Sequence, residues 1–137
     1  SSGPWVLKSM QVTSGTEQFA SAKITLIDEN SNEKTVKSNA SGPIEAAFKA
    51  LETATNIQLT LKKFDLHSAT TGDDAQGEVI ITTEFEGRSY RGHGVSIDIV
   101  EAGSRAYLEV INRILRRQRS GVKSTSKKKI KKSANII

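Results

Sequence analysis

The chain has 137 residues, with 20 Lys and Arg against 15 Asp and Glu, 36% hydrophobic residues, no Cys and two His, enough for one globular domain with a packed core. Without Cys there is no disulfide framework, zinc ribbon or thiol nucleophile, and two His leave little from which to build a metal cluster. No apolar run nears the ~18 residues of a membrane span, and Ser1-Ser2-Gly3-Pro4 has neither the basic nor the apolar stretch of a secretion signal. A soluble protein of the cytoplasm is expected, with residues 1–4 as a linker remnant of something longer.

A first strand over 5–13 mixes β-favouring and polar residues. The next, over 19–27, alternates Ala20, Ala22, Ile24 and Leu26 against Ser21, Lys23 and Thr25, the period of a half-buried strand. The polar cluster from Asp28 to Asn32 marks a turn, and 33–38 returns as a short strand. Gly42-Pro43 opens a helix with Ser41 or Gly42 as its cap, because the missing N–H of Pro costs nothing in a first turn. Ile44, Ala47, Phe48 and Leu51 then share one apolar face. Strands over 57–68, 78–85 and 89–95 follow, the last two joined at Gly87. A longer helix starts near Asp98, where Asp98-Ile99-Val100-Glu101 has capping-box form and Ile99, Gly103, Ala106, Val110 and Ile114 form the inward stripe.

The formal charge of +5 is unevenly laid out. Ten basic residues and no acid lie between Arg113 and Ile137, leaving 10 basic residues and all 15 acids, a net of −5, in residues 1–112. The folded body is therefore acidic. Residues 120–137, rich in Lys and Ser and poor in apolar residues, read as a disordered, solubilising tail, with a polyanion-binding arm as the alternative.

Two stretches recur. Ala20 to Leu26 reads like Ala75 to Ile81, an offset of 55, and Ile44 to Leu51 reads like Val100 to Tyr107, an offset of 56. The reading is an α+β fold of two βββα units, 5–56 and 57–119, related by a pseudo-twofold axis with helices covering the sheets. A homodimer is expected, since small domains of this kind associate through isologous contacts.

Candidate chemistry is thin. His67 and His93 have no Ser or Cys at a telling spacing, and Gly92-His93-Gly94 reads as a strand end needing backbone freedom. Asp73-Asp74, after Thr70-Thr71-Gly72, suits a turn better than a metal. No dinucleotide fingerprint is present. The strands carry Glu78, Glu84 and Glu86 where an RNA-binding sheet carries aromatic and basic residues, which argues against a nucleic-acid partner. From the residues alone, the chain is a dimeric binding module without catalytic machinery.

Three segments nevertheless resemble one family. Ser41-Gly42-Pro43-Ile44-Glu45-Ala46-Ala47-Phe48-Lys49-Ala50-Leu51, the string from His67 through Gly72-Asp73-Asp74-Ala75-Gln76-Gly77-Glu78-Val79, and Gly92-His93-Gly94-Val95-Ser96-Ile97-Asp98-Ile99-Val100-Glu101-Ala102 are similar to the C-terminal regulatory domain of α-isopropylmalate synthases. Citramalate synthases share that domain. The resemblance spans about 5–117 and implies two βββα units, a domain dimer, and an end-product amino acid bound near the dimer interface as feedback inhibitor. Leucine is the effector in the first family and isoleucine in the second. It further implies that catalysis, an acetyl-CoA-dependent acyl transfer on a metal-dependent barrel, belongs to another part of a parent chain, so that this fragment is no enzyme and holds no cofactor. A nucleic-acid or protein adaptor using the basic tail is the outside alternative.

Two departures stand out: Ala40-Ser41-Gly42-Pro43 replaces the family's Gly-x-Gly-Pro, and Phe64 stands where a Tyr is usual. The effector residues expected are Gly42, Pro43 and Ile44 at the first helix, Leu61, Phe64 and Ser68 on the fourth strand, Asp73, Asp74 and Ala75 in the loop after it, and Ile97 and Asp98 before the second helix. Physically, a helix N-terminus suits the effector carboxylate, an Asp its ammonium, and Ile44, Leu61, Phe64 and Ala75 its branched side chain.

Overall fold

A computed structural model describes residues 4–16, 19–68 and 76–134, with 121–134 as backbone. Three antiparallel strands, β1 (Val6–Thr13), β2 (Ala20–Ile27) and β3 (Glu33–Ala40), lead into α1 (Pro43–Thr55), and three more, β4 (Thr60–Ser68), β5 (Gly77–Phe85) and β6 (Arg88–Ser96), lead into α2 (Ile99–Ala134). Each sheet keeps its strands in chain order. The βββα unit therefore occurs twice, as the sequence repeat predicts. The two copies share even an irregularity: the register of β1 on β2 shifts between Leu7 and Ser9, and that of β4 on β5 between Leu61 and Lys63. A bulge inserts one residue and bends its strand, so a bulge at the same place in both first strands marks one design used twice.

Local chemistry closes several of the connections. Between β2 and β3, the Asp28 carboxylate accepts the N–H groups of Asn30 (2.8 Å) and Asn32 (2.9 Å). The backbone bond from Asn32 leads in holding that carboxyl below its usual value. Between β5 and β6, Glu86 and Gly87 both take positive φ, 51° and 78°, the two-residue turn whose twist matches that of the strands. Gly42 caps α1 from an extended backbone without a side-chain bond, Pro43 occupies its first turn, and Asn56 ends it in the left-handed region with its N–H on the Glu52 carbonyl.

Each helix lies on its own sheet. Ala46, Ala47, Ala50, Leu51 and Ala54 of α1 are buried over β2 and β3, with Ala22, Ile24 and Leu26 beneath. Ala102, Ala106, Val110, Ile111 and Ile114 of α2 are buried over β5 and β6, with Val79 and Ile81 beneath. Gly92 and Gly94 sit inside β6 on its buried face, not at a strand end as the sequence reading has it. A Cβ on Gly92 would stand 2.7 Å from Val110 Cγ2, and one on Gly94 would collide with the Ala102 carbonyl. Backbone approach, rather than backbone freedom, is what those glycines provide.

The units are joined helix to helix. The rings of Phe48 and Tyr107 stack with centroids 3.9 Å apart and planes 13° from parallel. The Tyr107 hydroxyl donates to Glu52 Oε2 at 2.6 Å, and the same oxygen accepts Leu59 N–H at 3.0 Å. Asn112 on α2 grips Trp5 with both ends of its amide, accepting its N–H (3.1 Å) and donating to its carbonyl (2.8 Å).

Two further expectations are corrected. The fourth strand begins at Thr60 rather than 57, because Asn56 turns the chain and Ile57 drops into the core. The capping box is relayed. Asp98 Oδ1 accepts the N–H of Val100 (2.8 Å) and Glu101 (3.4 Å), whereas Glu101 reaches back only to Ser96 Oγ (3.1 Å), which in turn accepts Asp98 N–H. Beyond its buried part, α2 runs on to Ala134. Extending an existing helix avoids the cost of nucleation, no Pro interrupts these residues, and basic residues suit a helix's C-terminal end.

Candidate functional site

Neither helix covers β4. Its backbone adjoins that of β5 alone. Its Leu61, Phe64 and Leu66 pair with Thr83, Ile81 and Val79, all buried beneath α2, so the three apolar residues point to the helix-bearing side of the sheet but stand beyond the helix. Leu61 is 40% and Leu66 54% exposed. Phe64 is half-buried because its ring leans on Gly103, where an added Cβ would lie 3.3 Å from Phe64 Cε2 and 3.7 Å from Phe48 Cε1. Phe48 of α1 and Phe64 of β4 thus meet over one glycine of α2. Ile44 precedes Phe48 by four residues on the same face of α1 and is itself half-buried against the core. The N-terminal turn of α1 and the uncovered row on β4 therefore border a common apolar surface.

The remaining expected residues fall elsewhere. Ser68, at the end of β4, pairs with Gly77, which pairs with Ser96, so Ser68, Ile97 and Asp98 gather at one end of the second sheet. All three are exposed, Ile97 at 81%. Leu61 lies seven residues from Ser68, about 23 Å along a strand, so one amino acid cannot touch both. Asp98 already spends Oδ1 on capping α2. Asp73, Asp74 and Ala75 lie outside the described residues.

Gly42 and Pro43 form the α1 N-terminus as expected, but a carboxylate already stands there: a Cβ on Gly42 would meet Glu45 Oε1 directly. Glu45 is in the first turn, where the partial positive charge of the helix favours it. The sequence reading missed this residue, and it missed Leu66, whose alternation with Phe64 across Asp65 was the available signal.

His93 is tied into the sheet. Its Nε2 lies 2.7 Å from Glu78 Oε2, and its backbone N–H donates to Glu109 Oε1 at 2.8 Å. Among the described residues no three His, Asp or Glu side chains are grouped as a metal ion requires, and no helix is long and apolar enough to cross a membrane.

The family model described as the LeuA allosteric (dimerisation) domain matches residues 1–115. The chain is 44% identical over 111 residues to a 2-isopropylmalate synthase of Rhodopirellula baltica, an alignment covering 81% of this chain and 21% of that protein. It is 39% identical over 107 residues to the 2-isopropylmalate synthase of Stenotrophomonas maltophilia, covering 78% and 20%, and 39% identical over 103 residues to that of Xanthomonas campestris pv. campestris, covering 75% and 20%. The chain thus spans about a fifth of the length of these curated relatives. It belongs to the LeuA allosteric (dimerisation) domain family.

Proposed function

We propose that this member of the LeuA allosteric domain family is the regulatory part of a 2-isopropylmalate synthase and binds leucine at an interface between two copies, lowering catalysis elsewhere in the parent chain. The observation that carries the reading is the shared border of the α1 N-terminus and the bare apolar row of β4, where Phe48 and Phe64 meet over Gly103. A free amino acid needs both kinds of surface. Its carboxylate suits the unpaired N–H groups at the start of α1, and its branched side chain suits Ile44, Phe64 and Leu66, an apolar setting that a partner copy would close. The named relatives are 2-isopropylmalate synthases, which favours leucine over isoleucine as effector.

Acyl transfer, and the divalent metal it needs, belong in this reading to the rest of the parent chain. Regulation then works by linkage: leucine favours the less active arrangement of domains by its differential affinity, typically ~1–3 kcal/mol of coupling, and a helix-lined dimer interface is a suitable two-state element. Titration calorimetry of the domain against leucine, isoleucine and valine tests it. Leucine is expected to bind tightest, with no protein-dependent release of CoA from acetyl-CoA and a 2-oxo acid. Silence toward all three amino acids would overturn the effector reading. Tighter isoleucine binding would move the parent to a citramalate synthase.

A further inference from the structure

At the free edge of β3, an open cleft of about 620 Å³ is lined by Ser21, Lys37, Ser38, Asn39, Lys49 and Thr53, within the ~300–1,000 Å³ range of small-ligand pockets. No acid lines it. Lys37 stands directly opposite Lys23 on β2, and like charges so placed, with Cβ atoms ~5 Å apart, repel. Among the described residues no Asp or Glu pairs with Lys23, Lys37 or Lys49, although residues 1–112 carry 15 acids against 10 basic residues. Lys49 Nζ donates only to the Asn39 carbonyl, at 3.3 Å. That bond shows the Asn39 backbone turned off the edge. In an antiparallel ladder alternate residues present both N–H and C=O to the same side, so the N–H groups of Lys37 and Asn39 face the cleft as well.

We infer that this cleft is a binding site for a compact, multiply charged oxyanion of the phosphate or pyrophosphate class, free or carried on a nucleotide, independent of the amino-acid surface between the α1 N-terminus and β4. The Lys37 and Lys49 ammoniums supply the charge, with Lys23 adding its field, and the Thr53 hydroxyl and the edge N–H groups supply directional donors. An anion seated there offsets the repulsion between Lys23 and Lys37, which the protein's own carboxylates leave uncompensated.

The test is a titration of the full chain with pyrophosphate, and separately with ADP, at constant ionic strength, followed by backbone amide shifts and melting temperature. Shifts at Ser21, Lys37, Asn39, Lys49 and Thr53 and a raised melting temperature are expected. Lys37→Gln, Lys49→Gln and the charge-neutral Thr53→Val should each weaken binding, the lysine changes by about tenfold or more, while Lys62→Gln on β4 should not. Lys37→Gln without anion should melt no lower than the wild type, because it relieves the repulsion. Equal affinity for pyrophosphate and ADP supports the free oxyanion, and tighter ADP binding a nucleoside diphosphate. Shifts confined to the basic residues beyond 113, or an equal loss in Lys62→Gln, would overturn the site.

Discussion

One carboxylate oxygen, Glu52 Oε2, holds three parts of the molecule. It accepts the Tyr107 hydroxyl from α2 and the Leu59 N–H from the segment entering β4, while its own helix carries Phe48 onto the Tyr107 ring. Tyr107→Phe keeps the stack and removes the hydroxyl, at an expected cost of about 1–3 kcal/mol in urea unfolding. Burial first, then the hydrogen bond and charge of Glu52, hold the Tyr107 hydroxyl well above its usual 10.0. The proton is therefore bound more tightly folded than unfolded. The stability this contact contributes is whole below pH 10.0 and declines as pH rises from there toward the raised folded value; unfolding curves of Tyr107→Phe should lack that alkaline decline. The sequence could not show this tie, since nothing in the spacing of Glu52 and Tyr107 says that two helices cross there. Gly94 is different: its alternation with Gly92 was visible, and only the packing of α2 gives the reason. Gly94→Ala puts a methyl group into the Ala102 carbonyl and should cost at least about 3 kcal/mol, the top of the usual overpacking range, read as a lowered melting temperature.

Elements were legible where period and punctuation agreed. The alternation of β2, the Gly42-Pro43 start of α1 and the Asp98 cap of α2 all rest on local chemistry that a neighbouring sheet does not alter. The length of α2 was not legible, because composition alone does not set where a helix gives way to coil. Among the residues of α2 up to 120, Ile114 is the last buried one, Leu115 is half-buried and 116–120 are exposed. Removing 121–137 should shift the melting temperature by no more than about 2 °C, since this Lys- and Ser-rich run has no periodic apolar face to offer a core. The start of α1 bears on the effector. If leucine's carboxylate seeks the α1 N-terminus, it must displace that of Glu45, so Glu45→Gln should tighten leucine binding about threefold or more, the size of one helix-end charge interaction. Calorimetry showing weaker binding would make Glu45 a partner of the effector ammonium instead.

At the scale of the molecule, the duplicated unit explains both what is closed and what is open. In the first unit α1 lies over all three strands, whereas in the second α2 lies over β5 and β6 and meets β4 only through the Phe64 ring at Gly103. The repeat was readable from the sequence, but this asymmetry was not, because it depends on where each helix lands across its sheet. It leaves Leu61 and Leu66 on an apolar row that one copy cannot cover, in a family whose description includes dimerisation. Leu66→Lys tests whether that row is the interface. At 54% exposure the side chain can leave without opening a cavity, so the variant should fold and melt within about 2 °C of the wild type when both are compared as monomers at high dilution. In sedimentation equilibrium it should be monomeric where the wild type dimerises, because a buried unpaired ammonium is far too costly to sequester. Leucine affinity should fall together with dimerisation, since the effector then has one wall of its pocket. A Leu66→Lys protein that still dimerised but no longer bound leucine would place the pocket within a single copy and the interface elsewhere.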